Sequence, residues 1–276
     1  MRSDVSLVDI HAHVLPGLDD GPRTLNDSVR MCEMYVAQGV STVVATPHMC
    51  DPRFAVSPRD VRRGVEELSR ACLQRGLDLQ ILPGGDVRLE PELLEAYDRG
   101  RVLTLADTGK YLLLELPLQS APRIEGLIFE LGVRGVTVVL SHPERNLGLA
   151  RKPARLAELV NTGCLAQVTA GSFFGDFGAA VTRLAQGFLK AGLVHVVASD
   201  AHSPHARRPD LRRTRDLLAA TVGEEAARDL LERNPRSIVR GEPLELPEHL
   251  PGRDEDNPHD ADLSVPQVDP KGNTPR

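Results

Sequence analysis

The chain has 276 residues, 41% of them hydrophobic but only 3% aromatic and none tryptophan, so its core must be built from Leu, Val, Ala and Ile. About 240 residues read as globular, which suits one barrel-sized domain better than two small ones. A net charge of −6 and a pI near 5.9 lack the global basic character of a nucleic-acid binder. No apolar run approaches the roughly 20 residues needed to span a bilayer.

The first expected element is an apolar run from Val5 that ends Asp9-Ile-His11-Ala-His13. No leader of basic residues plus an apolar stretch precedes it. Alternate residues of a strand share a side, so His11 and His13 can converge on one ion, and Asp9, of the same parity, can orient a histidine. The loop Gly17-Leu-Asp19-Asp20-Gly21 comes next. Paired Asp there is ordinary turn chemistry; only the nearby histidines promote one of them to a ligand. A helix capped by Thr24 or Asn26 should run to about Gln38, with Gly39 at its end. The strand Thr42–Thr46 then reaches Pro47-His48, and Ser57-Pro58 opens a helix closing near Gly76.

The same arrangement recurs along the chain. Asp86 follows Gly84-Gly85, Glu115 closes Tyr111–Leu114, His142 follows Val136–Ser141, and Asp200 and His202 follow Val194–Ala198. Only the run Leu165–Thr169 ends without a strong ligand. Helical spacing is expected over about 91–99, 122–134, 152–162, 178–191, 210–221 and 223–233. Seven buried strands alternating with helices predict parallel βαβ units: an α/β fold, a (β/α)7 barrel, with an open doubly wound sheet as the alternative. Residues 1–240 form this domain. Residues 241–276 are rich in Pro, Asp and Glu and read as a disordered tail. Cys32, Cys50, Cys72 and Cys164 show no CxxC spacing and read as unpaired thiols in a reducing compartment, so a cytoplasmic protein without membrane insertion is expected.

A functional side chain after each strand is how barrel enzymes build a site at one rim. His11, His13, Asp20, His48, Asp86, Glu115, His142, Asp200 and His202 exceed what one ion needs, so two or three divalent ions are expected. Nitrogen and oxygen donors without thiolate suit Mn, Fe, Zn or Mg. Closely spaced divalent ions acidify a water and clamp the oxygens of a phosphoryl transfer. Arg145 and Arg207 stand at the same rim and match phosphate geometry, although Arg207-Arg208 also reads as the start of a solvated charge run. His195 inside the last strand reads as structural, and His205 as a loop residue.

Together these stretches resemble the PHP (polymerase and histidinol phosphatase) superfamily, and more closely its bacterial protein-tyrosine phosphatases encoded with capsule and exopolysaccharide genes. The carrying segments are Asp9–His13 with Leu18–Gly21, Ala45–His48, Leu112–Pro117, Ser141–Asn146 and Ala198–His202. The resemblance implies a distorted (β/α)7 barrel of the PHP type holding three ions, commonly Mn. It places His11, His13 and Asp200 on one ion, Asp20, His48 and His202 on a second, and Glu115 and His142 on a third, with Asp86 bridging. Arg145 and Arg207 then hold phosphate. The implied substrate is phosphotyrosine in a protein, the tyrosine-rich tail of a kinase of polysaccharide export. The family's bridging residue is usually Glu, and Asp86 is one methylene shorter; Arg208 also stands where a Pro is expected. A small-molecule phosphatase of the histidinol phosphate type, or a non-catalytic regulator binding phosphotyrosine or metal, is the alternative.

Overall fold

The computed structural model describes residues 6–244, so most of the segment read as a tail lies outside the described residues. Among the described residues nine strands form, all paired in parallel: β1 Leu7–Ala12, β2 Val40–Ala45, β3 His48–Met49, β4 Gln80–Pro83, β5 Asp86–Arg88, β6 Tyr111–Glu115, β7 Thr137–Ser141, β8 Leu165–Thr169 and β9 Val196–Ala198. They make one sheet in the order β1-β2-β4 and another in the order β3-β5-β6-β7-β8-β9. The fold is α/β with parallel sheets, as the alternation of β-branched runs and helical spacing predicts.

The nine strands derive from seven sequence runs because two runs are interrupted. β2 passes through Thr46-Pro47 into β3, and β4 through Gly84-Gly85 into β5, each crossing from the small sheet to the large one. Pro47 lacks the N–H that would continue a ladder. At Gly84 a Cβ would stand 2.6 Å from Val44 Cγ1, and at Gly85 2.5 Å from Met49 Sδ, so neither position accepts a side chain as packed. The sheets also touch beyond β9. Ala12 bridges Ala201, the Asp200 N–H donates to the His11 carbonyl (2.8 Å), and the His13 N–H donates to the Ala201 carbonyl (2.8 Å).

Ten α-helices among the described residues accompany the strands: α1 Leu25–Ala37, α2 Pro58–Gln74, α3 Leu93–Asp98, α4 Glu125–Val133, α5 Leu147–Arg151, α6 Ala154–Asn161, α7 Ala179–Lys190, α8 Leu211–Val222, α9 Glu224–Arg228 and α10 Asn234–Arg240. Thr24, not Asn26, caps α1 by accepting from the Asp27 N–H, and Ser57 caps α2 from the Asp60 N–H. The helix expected over 223–233 runs on: a π-helical segment, Asp229–Arg233, carries α9 into α10. After Gly241 (φ +68°) the chain turns back and Tyr111 Oη donates to the Glu242 carbonyl at 2.6 Å.

Helix faces and strands share a large apolar cluster that includes Leu68, Leu112, Leu131, Leu156 and Phe188. A smaller cluster is drawn mostly from strands: Val8, Ile10, Val44, Tyr111, Leu113, Val139, Leu165, Val196 and Ala198. Two residues beyond its members on β6, β8 and β9, on the same side of the strand, come Glu115, Gln167 and Asp200. The apolar interior thus gives way to a polar layer at the strands' C-terminal ends. All four cysteines are free thiols.

Candidate metal centre

His11 and His13 lie at the end of β1, where the pairing with β2 shifts register between Asp9 and Ala12. Such irregularities re-aim side chains beside functional sites. The two Nε2 atoms are 3.3 Å apart. Asp9 meets His11 only through the backbone N–H (3.3 Å), correcting its expected role. Asp9 touches no histidine ring; its buried carboxylate takes the Tyr35 hydroxyl (2.8 Å) and the Ser199 N–H (3.0 Å), tying β1 to α1 and to the end of β9.

Other residues orient the histidines. Gln167 Oε1 accepts from His11 Nδ1 at 2.7 Å, and Asp19 Oδ2 from His13 Nδ1 at 2.5 Å. Asp19 also takes the N–H groups of His48 (3.0 Å) and Gly21 (2.9 Å). The Asp pair of the loop therefore divides its labour: Asp19 faces the backbone and His13, while Asp20 Oδ1 faces His48 Nε2 (3.5 Å) and His202 Nε2 (3.4 Å). Gln167 was not anticipated, although an amide inside an otherwise apolar strand was a signal.

All nine residues singled out from the sequence converge. Asp200 Oδ1 is 3.3 Å from His11 Nε2 and 3.4 Å from His13 Nε2. Asp86 Oδ2 is 3.7 Å from His11 Nε2 and 3.4 Å from His48 Nδ1. Glu115 reaches His48 Nδ1 at 3.6 Å and His142 Nε2 at 3.7 Å. Four overlapping sets each bring their ligand atoms within 4.8 Å of one another: His13, Asp20, His48 and His202; His11, His142 and Asp200; His11, His13 and Asp86; and His48, Asp86 and Glu115.

This donor set fits divalent cations. Asp86 is fully buried, yet neither carboxylate oxygen has a hydrogen-bond partner, and His48 Nδ1 and His202 Nε2 are likewise buried and unpartnered. Orphaned donor atoms of this kind are costly unless a cation meets them. The electrostatics are those of a packed ligand cluster. Burial opposes charge on Asp86, but His11, His48 and His142 together hold its carboxyl below the usual range. Burial and the neighbouring Asp86 push Glu115 up to about 7, while burial and the Arg145 charge push His142 well down. Burial also lowers His202 to about 4; for His13, the Asp19 carboxylate overcomes burial and raises it to about 10. Three site residues, His142, Asp200 and Arg207, hold left-handed backbone (φ +33°, +50° and +50°). Non-glycine residues rarely adopt it, and such strain collects at functional positions.

The cluster floors a cleft of about 460 Å³ edged by Arg53, Arg88, Leu118, Arg145 and Arg207. Arg145 Nη1 and Arg207 Nη2 both donate to Asp200 Oδ2, the oxygen turned away from His11. Of the remaining histidines, buried His195 accepts the Ala166 N–H at 3.0 Å on Nδ1, and His205 is exposed in its loop.

A parallel α/β scaffold with clustered carboxylates and imidazoles at its strand ends is the arrangement of a metal-dependent hydrolase. Residues 7–240 match the family model for capsular polysaccharide synthesis, CpsB/CapC, and the chain belongs to that family. It is 34% identical over 239 residues to the tyrosine-protein phosphatase YwqE of Bacillus subtilis, covering 86% of this chain and 93% of that one. With the tyrosine-protein phosphatase CpsB of Streptococcus pneumoniae it shares 29% identity over 239 residues, covering 84% and 98%. A crystal structure from work on YwqE and CpsB, described as unique metal-dependent tyrosine phosphatases, superposes with a TM-score of 0.82 at 33% identity, covering 86% of this chain and 96% of that one.

Proposed function

We propose that this protein is a metal-dependent phosphomonoesterase acting on phosphotyrosine in proteins that control capsule and exopolysaccharide synthesis. The observation that carries the reading is the convergence of nine nitrogen and oxygen ligands beneath two arginines that share one carboxylate. Kinship with named tyrosine-protein phosphatases supports the substrate class.

In this reading His11, His13 and Asp200 would hold one ion, Asp20, His48 and His202 a second, and Glu115 and His142 a third, with Asp86 as a shared ligand. Manganese suits the donor set, as do Fe, Zn and Mg. When bound, the ions supply an acidified water and neutralise charge on the transferring phosphoryl group. The chain's own residues do the rest. Gln167 and Asp19 fix the two β1 histidines so that each presents Nε2. Arg145 and Arg207 bind the non-bridging phosphate oxygens through guanidinium N–H groups. The cleft of about 460 Å³ over the cluster would receive the phosphotyrosine side chain. In this reading the two parallel sheets are parts of one distorted (β/α)7 barrel, a reading supported by the bridge between Ala12 and Ala201. On the same reading the protein acts in the cytoplasm on the tyrosine-rich tail of a kinase of polysaccharide export.

The test compares phosphate release from a phosphotyrosine peptide, a phosphoserine peptide and histidinol phosphate by manganese-reconstituted protein. The highest kcat/KM on phosphotyrosine is expected; a higher value on histidinol phosphate overturns the substrate assignment.

A further inference from the structure

Phe177 belongs to neither apolar cluster, in a chain that has only six phenylalanines. It sits on the loop after β8, between Gly175 and Gly178, both at φ +89°. Its ring centroid lies 4.4 Å from Arg145 Cζ and 5.8 Å from Arg207 Cζ. One aromatic side chain thus meets both guanidiniums that stand over the metal cluster, although they come from loops some sixty residues apart in sequence.

The loop that carries the ring is tied to the loop that carries Arg145. Glu144, the residue before Arg145, is buried, and its Oε1 accepts the Thr169 N–H at 3.0 Å and the Ser172 hydroxyl at 2.7 Å. Thr169 and Ser172 open the segment that ends at Phe177. The two arginines repel one another, and one Asp200 oxygen serves both. The negative face of an aromatic ring is a second counter-field at that point. Both guanidinium carbons lie within 6 Å of the ring centroid, the range of a cation–π contact.

We propose that Phe177 is a positioning residue that holds Arg145 and Arg207 in their phosphate-binding pose. The ligand it serves is a phosphate monoester or inorganic phosphate, and the proposal rests on the arginines having the role given above. Ordering two long side chains in advance removes an entropic cost that binding would otherwise carry.

The experiment measures inorganic phosphate binding to manganese-reconstituted protein by titration calorimetry, alongside melting temperature and metal content. Phe177→Leu keeps apolar bulk but has no π face, Phe177→Ala removes both, and Phe177→Tyr keeps the ring. Phosphate affinity is expected to fall about tenfold in the Leu and Ala variants and to stay within about twofold of wild type in the Tyr variant, with metal content and melting temperature unchanged. Wild-type affinity in Phe177→Leu overturns the proposal, as does a loss that follows loss of metal, or a wild-type protein that binds no phosphate. Wild type that binds phosphate but does not turn over phosphotyrosine peptide sinks the phosphatase reading while leaving this one standing.

Discussion

Gln167 on β8 reaches across to β1 and accepts from His11 Nδ1 at 2.7 Å, with the amide fully buried. That bond fixes the His11 tautomer, so Nε2 is the nitrogen left for an ion. Partners of this kind are worth about 10- to 100-fold in metal affinity or activity. Gln167→Ala is therefore expected to lower manganese affinity by about tenfold or more, measured by competition with a chelating dye. Gln167→Glu, which still accepts, should recover most of it. Unchanged affinity in the Ala variant would mean that His11 is oriented by something else.

Asp86 is the ligand with most to lose. It is fully buried, its oxygens face His11 and His48, and no hydrogen bond supports it. Asp86→Asn removes the charge while keeping the shape. The folded variant is expected to retain fewer metal equivalents per chain by elemental analysis, and turnover is expected to drop by about 100-fold or more. Full metal content in the Asn variant would remove Asp86 from the ligand set.

Arg145 and Arg207 are expected to act on phosphate and not on metal retention. Arg145→Ala and Arg207→Ala should each reduce kcat/KM on a phosphotyrosine peptide by about 10²-fold with metal content intact. Arg145→Lys should recover only part of the loss, because an ammonium cannot offer paired N–H groups. Loss of metal in these variants would instead make the arginines structural partners of Asp200.

Much of this site was legible because most of the ligand residues stand at or just past the ends of apolar strand runs. Parallel pairing of the strands then puts those ends at one side of the fold. What stayed hidden were features that depend on packing. Asp9 takes the Tyr35 hydroxyl and the Ser199 N–H, not a histidine ring, and the orienting duty falls to Asp19 and Gln167. The breaks at Pro47 and at Gly84-Gly85 split two strands between sheets. No periodicity reveals Phe177, a loop residue whose partners come from two distant loops.

His195 supplies a pH test remote from the cluster chemistry. It is buried, its Nδ1 accepts the Ala166 N–H, and burial lowers it from 6.5 to about 4. The folded chain holds this ring neutral while the unfolded chain protonates it near pH 6.5. Its contribution is therefore fully present above that pH and is lost as pH falls from 6.5 towards 4, by about 3 kcal/mol. Denaturant midpoints over this range should fall less steeply in His195→Gln than in wild type; parallel curves would show that another group governs the acid limb.

The most direct measurement is phosphate release from a phosphotyrosine peptide by chelator-stripped protein, before and after reconstitution with manganese. The expected result is no turnover when stripped and recovery on adding the ion, with two or three equivalents bound per chain. A folded, fully reconstituted sample that releases no phosphate with any divalent ion, or a stripped sample as active as the reconstituted one, would contradict the account.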